Sequence, residues 1–195
     1  MPTDLRAIVG LGNPGPDYER TRHNAGFWFV ERLADKHGGA FRKEARFHGL
    51  LADISISGVK LMLLKPSTYM NGSGRAVQAL MAFHKIEPAQ LLIVHDELDL
   101  PAGAVRLKVG GGHGGHNGLR DTHAQIGAEY RRLRIGVGHP GQKEYVTDYL
   151  TSGRASAADQ KLIDEGIEAA IEAMPLALEH WEKATQQLHS RVIAN

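Results

Sequence analysis

Apolar residues along this chain follow two rhythms. Short continuous runs closed by glycine, proline or an acid alternate with longer stretches in which apolar positions recur every three or four residues. The runs predict buried strands at Leu5–Leu11, Gln90–His95, Val105–Val109 and Leu133–Val137. Phe47–Ile56 and Val59–Leu64 flank the turn pair Ser57-Gly58 and predict a hairpin. The slower rhythm predicts a helix that Thr21 caps, with Phe27, Val30, Leu33 and Ala34 on its buried side and Gly38-Gly39 as its stop. Further helices are expected at Ala76–His84 and at about Leu119–Ile126. A long helical tail runs from Ser156 to about His189, interrupted at Pro175.

Strands that alternate with helices, plus one hairpin, give an α/β fold: a single domain over 1–195, a twisted mixed β-sheet flanked by α-helices, and a long C-terminal helical segment. At 195 residues the chain can bury about 70% of its unfolded surface, so no disulfide or metal staple is needed. It has no cysteine, which removes thiol chemistry and fits a cytoplasmic protein. The N-terminal stretch carries Asp4 before a short apolar run and does not read as a secretory signal, and no apolar run is long enough to span a membrane.

Net charge is +1 and names no partner by itself; its distribution says more. Residues 101–150 hold seven bases, including Lys108 and Arg134, against four acids, whereas 151–195 hold four bases against seven acids. A basic middle is what a polyanion binder needs, although a mixed surface produces such fluctuations too.

Two glycine-rich stretches carry the candidate chemistry. Gly10–Gly15 matches GxGxxG, but Pro14 and Pro16 keep the chain from opening a helix there. Asp35, about 20 residues on, falls in a helical stretch, so a dinucleotide fold is not expected. No phosphate-cradling glycine loop with its lysine is present. Gly110–Gly118 (GGGHGGHNG) cannot build a core; most such runs are flexible surface loops, but its histidines and closely flanking elements point instead to glycines kept for close backbone approach or positive φ. His113, His116 and Asn117 are its chemically active side chains.

His23 falls in the first turn of the predicted helix, where the positive end of the macrodipole favours a neutral imidazole. Asp96, Glu97 and Asp99 follow a buried strand, where α/β sheets gather ligands. With Asn13 and Asn71 in other loops, these residues offer histidines held by an acid and carboxamides that donate to an oxyanion, a set suited to water activation. A zinc site from His95, Asp96, His113 and His116 is the competing assembly, weakened by the missing thiolates.

GLGNPG with Tyr18 and Thr21-Arg22-His23-Asn24-Ala25-Gly26, then KPSTYMNGSG, HDELDLPAG, GGGHGGHNGLRD and RLRIGVGHPG, together resemble the bacterial peptidyl-tRNA hydrolase family over essentially the whole chain. The resemblance implies hydrolysis of the ester joining a peptide to the 3′-terminal ribose of tRNA, with no cofactor or metal, by a monomer. It implies His23 as general base, Asp96 orienting it, and Asn13 and Asn71 lining the pocket for the peptide and the 3′ end. Asn117 would position the water or the carbonyl, His116 would gate or contact substrate, and Tyr18 and Met70 would line the cleft. Lys108 and Arg134 would contact tRNA phosphate. A noncatalytic RNA-binding module of the same fold, or a hydrolase of other esters or amides, would share many of these features.

Overall fold

The apolar runs assemble into one sheet. In the computed structural model, which describes residues 2–193, the strands are β1 (Ala7–Gly10), β2 (Arg42–Glu44), β3 (Gly49–Ile56), β4 (Val59–Pro66), β5 (Leu91–Glu97), β6 (Val105–Val109) and β7 (Arg131–Gly136). Their order across the sheet is β2-β3-β4-β1-β5-β7-β6. The central β4, β1, β5 and β7 run parallel, while β2, β3 and β6 complete an antiparallel margin on each side.

Helices cover both faces: α1 (Ala25–Lys36), α2 (Ser73–His84), α3 (Asn117–Ile126), α4 (Val146–Thr151), α5 (Ala157–Glu179) and α6 (Trp181–His189). Strand alternation sends Ile8, Leu63, Leu92 and Val94 into the core shared with α1, α5 and α6. Ala7, Val9, Leu91 and Ile93 face the smaller core under α2 and α3. The helices after β1 and β4 thus lie on opposite faces, which opens a crevice at the carboxyl ends of the central strands.

Two glycines bring α1 into that crevice. A methyl group on Gly10 would fall 2.3 Å from the Gly26 carbonyl oxygen, and one on Gly26 would fall 2.4 Å from the Val94 carbonyl oxygen. The start of α1 therefore lies directly against the ends of β1 and β5. The hairpin turn forms as expected, with Ser57 and Gly58 both at positive φ.

Several boundaries differ from the sequence expectation, each for a physical reason. The Arg22–Asn24 stretch is a 3-10 turn, and Thr21 donates its hydroxyl to the Tyr18 carbonyl instead of capping α1. β5 extends through Asp96 and Glu97 because pairing with β7 continues past the apolar run. α3 begins at Asn117, two residues earlier than its apolar pattern, because His116 caps it. α5 passes through Pro175 and ends at Glu179, with His180 as its C-cap; burial of Ile171, Met174, Ala177 and Leu178 outweighs the one hydrogen bond that proline removes. The edge strand β2 and the six-residue α4 carry no strong apolar rhythm and are created by tertiary packing. Among the described residues, no helix is long and apolar enough to cross a membrane.

Candidate active site

The close approach of α1 places His23 over the end of β5. Its Nδ1 lies 2.8 Å from Asp96 Oδ2, and Asp96 Oδ1 lies 2.8 Å from His116 Nε2. His116 Nδ1 accepts from the N–H groups of Gly118 and Leu119 at the start of α3. That assigns its ring proton to Nε2, which donates to Asp96. The second carboxylate oxygen then takes Nδ1–H of His23, and His23 Nε2, with no protein partner among the described residues, is left to the cleft.

Asp96 is 2% exposed, and burial alone would raise its pKa; the two imidazoles override this and hold it well below the usual carboxylate range. Burial likewise lowers the pKa of His23, but the charge of Asp96 and its hydrogen bond outweigh burial, so the net displacement is upward. This corrects the expectation from the helix macrodipole: the carboxylate at hydrogen-bond distance dominates the turn's partial charge. His95, behind them, is fully buried and donates Nδ1–H to the Asp96 carbonyl. Burial, then the neighbouring His116, pushes its pKa down to about 3, so it stays neutral.

Asn13 and Asn24 form a two-point clamp: Asn13 N–H donates to Asn24 Oδ1 at 2.8 Å, and Asn24 Nδ2 donates to the Asn13 carbonyl at 2.9 Å. Asn13 Oδ1 in turn accepts Met70 N–H at 2.6 Å, which fixes the carboxamide and leaves its NH₂ group without a partner among the described residues. Met70 is buried, with its sulfur against Gly118, so this residue joins the Asn13 loop through its backbone to the start of α3 through its side chain.

The sequence-derived candidates separate into groups. His23, Asp96, His116 and Asn117 line one cleft of about 430 Å³ together with Asp99, His139, Lys143 and the apolar wall of Leu98, Val146 and Leu150. Asn13 lines a second cavity of about 590 Å³ with Asn24, Pro14, Phe27, Leu50 and Lys65. Asn71 and Asn117 are exposed, unlike Asn13, and Tyr18 packs edge-on to the exposed Tyr69 at 6.2 Å.

Lys108 is exposed on the edge strand β6. Arg134, on β7, is tied through Nε to Glu97 Oε1 at 3.0 Å. The register pairs Arg106 with Arg134 and Lys108 with Arg132, so these bases share one sheet face. Asn24 and Arg132 are structural members of the site that the sequence expectation did not include, and His95, expected only as a zinc ligand, is a third. The adjacency of Asn24 to His23 was the available signal.

The set His23, Asp96 and His116 has metal-ligand composition, with candidate atoms within 4.8 Å of one another. Each imidazole nitrogen facing the carboxylate, however, carries a proton, and the remaining nitrogen of His116 is consumed by α3. The alternative zinc set loses two of its four members in the same way: His113 Nδ1 accepts Gly115 N–H, and both nitrogens of His116 are engaged. The donors fit a hydrogen-bonded triad.

Comparison with known proteins finds matches over nearly the whole chain. The family model described as Peptidyl-tRNA hydrolase matches residues 7–195. A peptidyl-tRNA hydrolase of Azoarcus sp. (strain BH72) is 54% identical over 188 residues, covering 95% of this chain and 85% of its own length. That of Neisseria gonorrhoeae (strain NCCP11945) is 47% identical over 193 residues, covering 98% of this chain and all of its own. A crystal structure of peptidyl-tRNA hydrolase from Acinetobacter baumannii superposes with a TM-score of 0.95 at 47% identity, over 100% of this chain and 99% of that one.

Proposed function

The chain belongs to the peptidyl-tRNA hydrolase family, and from that premise we propose how it hydrolyses peptidyl-tRNA: His23 activates a water that attacks the ester between peptide and terminal ribose. The observation that carries this reading is the division of labour on the His23 ring, with Nδ1–H held by Asp96 and Nε2 open to the cleft. Nε2 removes a proton from water as its oxygen attacks the ester carbonyl. The NH₂ group of Asn117, on the cleft of His23, would donate to the oxyanion, and that of Asn13, on the second cavity, would join it from a substrate that spans both. As the intermediate collapses, the bond to the ribose oxygen breaks and Nε2–H protonates that oxygen. The products are a peptide carboxylic acid and tRNA with a free terminal hydroxyl.

Asn71, Tyr18 and Met70 border the same group of loops and would contact the peptide or the 3′ end. Lys108, and Arg134 through the donors that Glu97 leaves free, would meet phosphate. His116, expected to gate or touch substrate, serves in this reading as a strut between Asp96 and α3. The protein acts as a monomer and in the cytoplasm in this proposal.

The test is release of peptide from purified peptidyl-tRNA without added metal or nucleotide. Turnover that competing uncharged tRNA inhibits at low salt is expected. Binding without turnover would leave a noncatalytic RNA-binding module, and turnover of simple esters with no effect of tRNA would point to a different hydrolase.

A further inference from the structure

Arg132 is a buried cation with no acid at ion-pair distance among the described residues. The residue is 3% exposed, and its two terminal nitrogens donate to backbone: Nη1 to the Gly112 carbonyl at 2.9 Å and Nη2 to the Gly110 carbonyl at 2.7 Å. Its Nε is buried without a partner among the described residues. A cation removed from water is costly unless its donors are satisfied, so the fold has a reason to hold it there. The two acceptors flank Gly111, which has φ +104°, and a methyl group on it would fall 2.5 Å from Arg132 Nη2. The guanidinium thus fills the inside of an arch that only glycine backbone can form.

The arch is pinned at both ends. Gly110 N–H donates to the Tyr130 carbonyl at 3.0 Å, and on the far side His116 N–H closes a turn onto the His113 carbonyl. His116 then bonds to Asp96 and caps α3, with Asn117 as the first residue of that helix. A run of glycines loses more backbone entropy on ordering than any other sequence, and charge-assisted bonds of roughly twice the neutral strength offset that loss. The two carbonyls require a fork of fixed width, which arginine has and lysine lacks.

We propose that Arg132 is a positioning residue for the hydrolysis: it locks the 110–115 arch and thereby sets where His116 meets Asp96 and where Asn117 enters the cleft. This rests on the roles given to His116 and Asn117 above. It separates Arg132 from Lys108 and Arg134 on the same face, because Arg132 is buried with each of its terminal nitrogens bonded to a backbone carbonyl.

Arg132→Lys and Arg132→Ala, compared with wild type, test this through turnover, tRNA binding across salt concentrations, and amide hydrogen exchange of residues 110–117. Misplacement of a reacting group by about 1 Å can cost about 10²-fold. We expect Arg132→Lys to lose about 10- to 100-fold in kcat at little-changed KM and salt slope, with faster exchange across the arch. Added guanidinium ion, but not methylammonium, should restore part of the activity of Arg132→Ala. Should that variant not fold, Arg132→Lys decides alone.

Wild-type kcat in Arg132→Lys, or unchanged exchange in the arch, would overturn the proposal. A salt slope reduced by about one contact with normal exchange would also overturn it and make Arg132 a phosphate ligand. If the wild-type protein shows no turnover, the proposed reaction fails, while the exchange measurement still decides whether Arg132 locks the arch.

Discussion

His23 and His116 hold the two oxygens of one carboxylate at the same distance, 2.8 Å, yet they arrive by opposite routes and end in different jobs. His23 is carried by a tight turn whose approach is fixed by the Gly10–Gly26 contact and the Asn13–Asn24 clamp. His116 is carried by a glycine arch with little packing of its own, held by Arg132. The second nitrogen of His23 is open to the cleft, and that of His116 is spent on α3. A histidine paired with a carboxylate is therefore insufficient to identify a base; the far nitrogen decides.

The largest expected effect is at His23. His23→Ala should fold normally and lose about 10² to 10⁴ in turnover, the usual worth of general-base assistance. A loss below about tenfold would erase the distinction between the two histidines. Asp96→Asn acts on the same group through pH. With the carboxylate gone, only burial displaces the His23 pKa, so the acid limb of kcat/KM should move from above the ordinary 6.5 to below it. An acid limb that stays in place would mean that another group titrates.

Asn13→Ala should cost at most about 10² to 10³ in kcat, as one oxyanion donor does. Near-normal kcat with a higher KM would assign Asn13 to ground-state peptide binding instead.

His116 offers a sharper cut through the comparison. Asn at this position can still cap α3 but is too short to bridge to Asp96, whereas Ala does neither. His116→Ala should therefore be less stable than His116→Asn by about 1 kcal/mol in denaturant unfolding. Both should lose less turnover than His23→Ala; equal losses would make His116 a second chemical participant. The smallest effect belongs to Lys108→Ala, with kcat retained and the log–log salt slope of tRNA binding reduced by about one contact. An unchanged slope would leave Lys108 as a solvated edge residue.

Most of the architecture was legible because burial writes itself into apolar spacing. The strands β1, β5, β6 and β7, the hairpin and the main helices all follow from it. What escaped was structure made by neighbours: β2 is three polar residues that exist by pairing with β3, and Pro175 is overruled by the core around α5. The site was legible as a list of residue types but not as a wiring diagram. His23, Asp96 and His116 could be named from sequence. That one aspartate serves both histidines could not, because it depends on strand register and a helix cap. Arg132 looked like part of a basic segment and proves to be interior, a distinction that charge counting cannot make.

The different roles of His23 and His116 turn on which nitrogen carries the proton in each ring. Nitrogen NMR of the two side chains near neutral pH, assigned with His23→Ala and His116→Asn, reads this without substrate. The structure predicts that neutral His23 is protonated at Nδ1 with Nε2 free, and that His116 holds its proton at Nε2. A neutral His23 protonated at Nε2 would leave no lone pair facing the cleft and would contradict its assignment as the base.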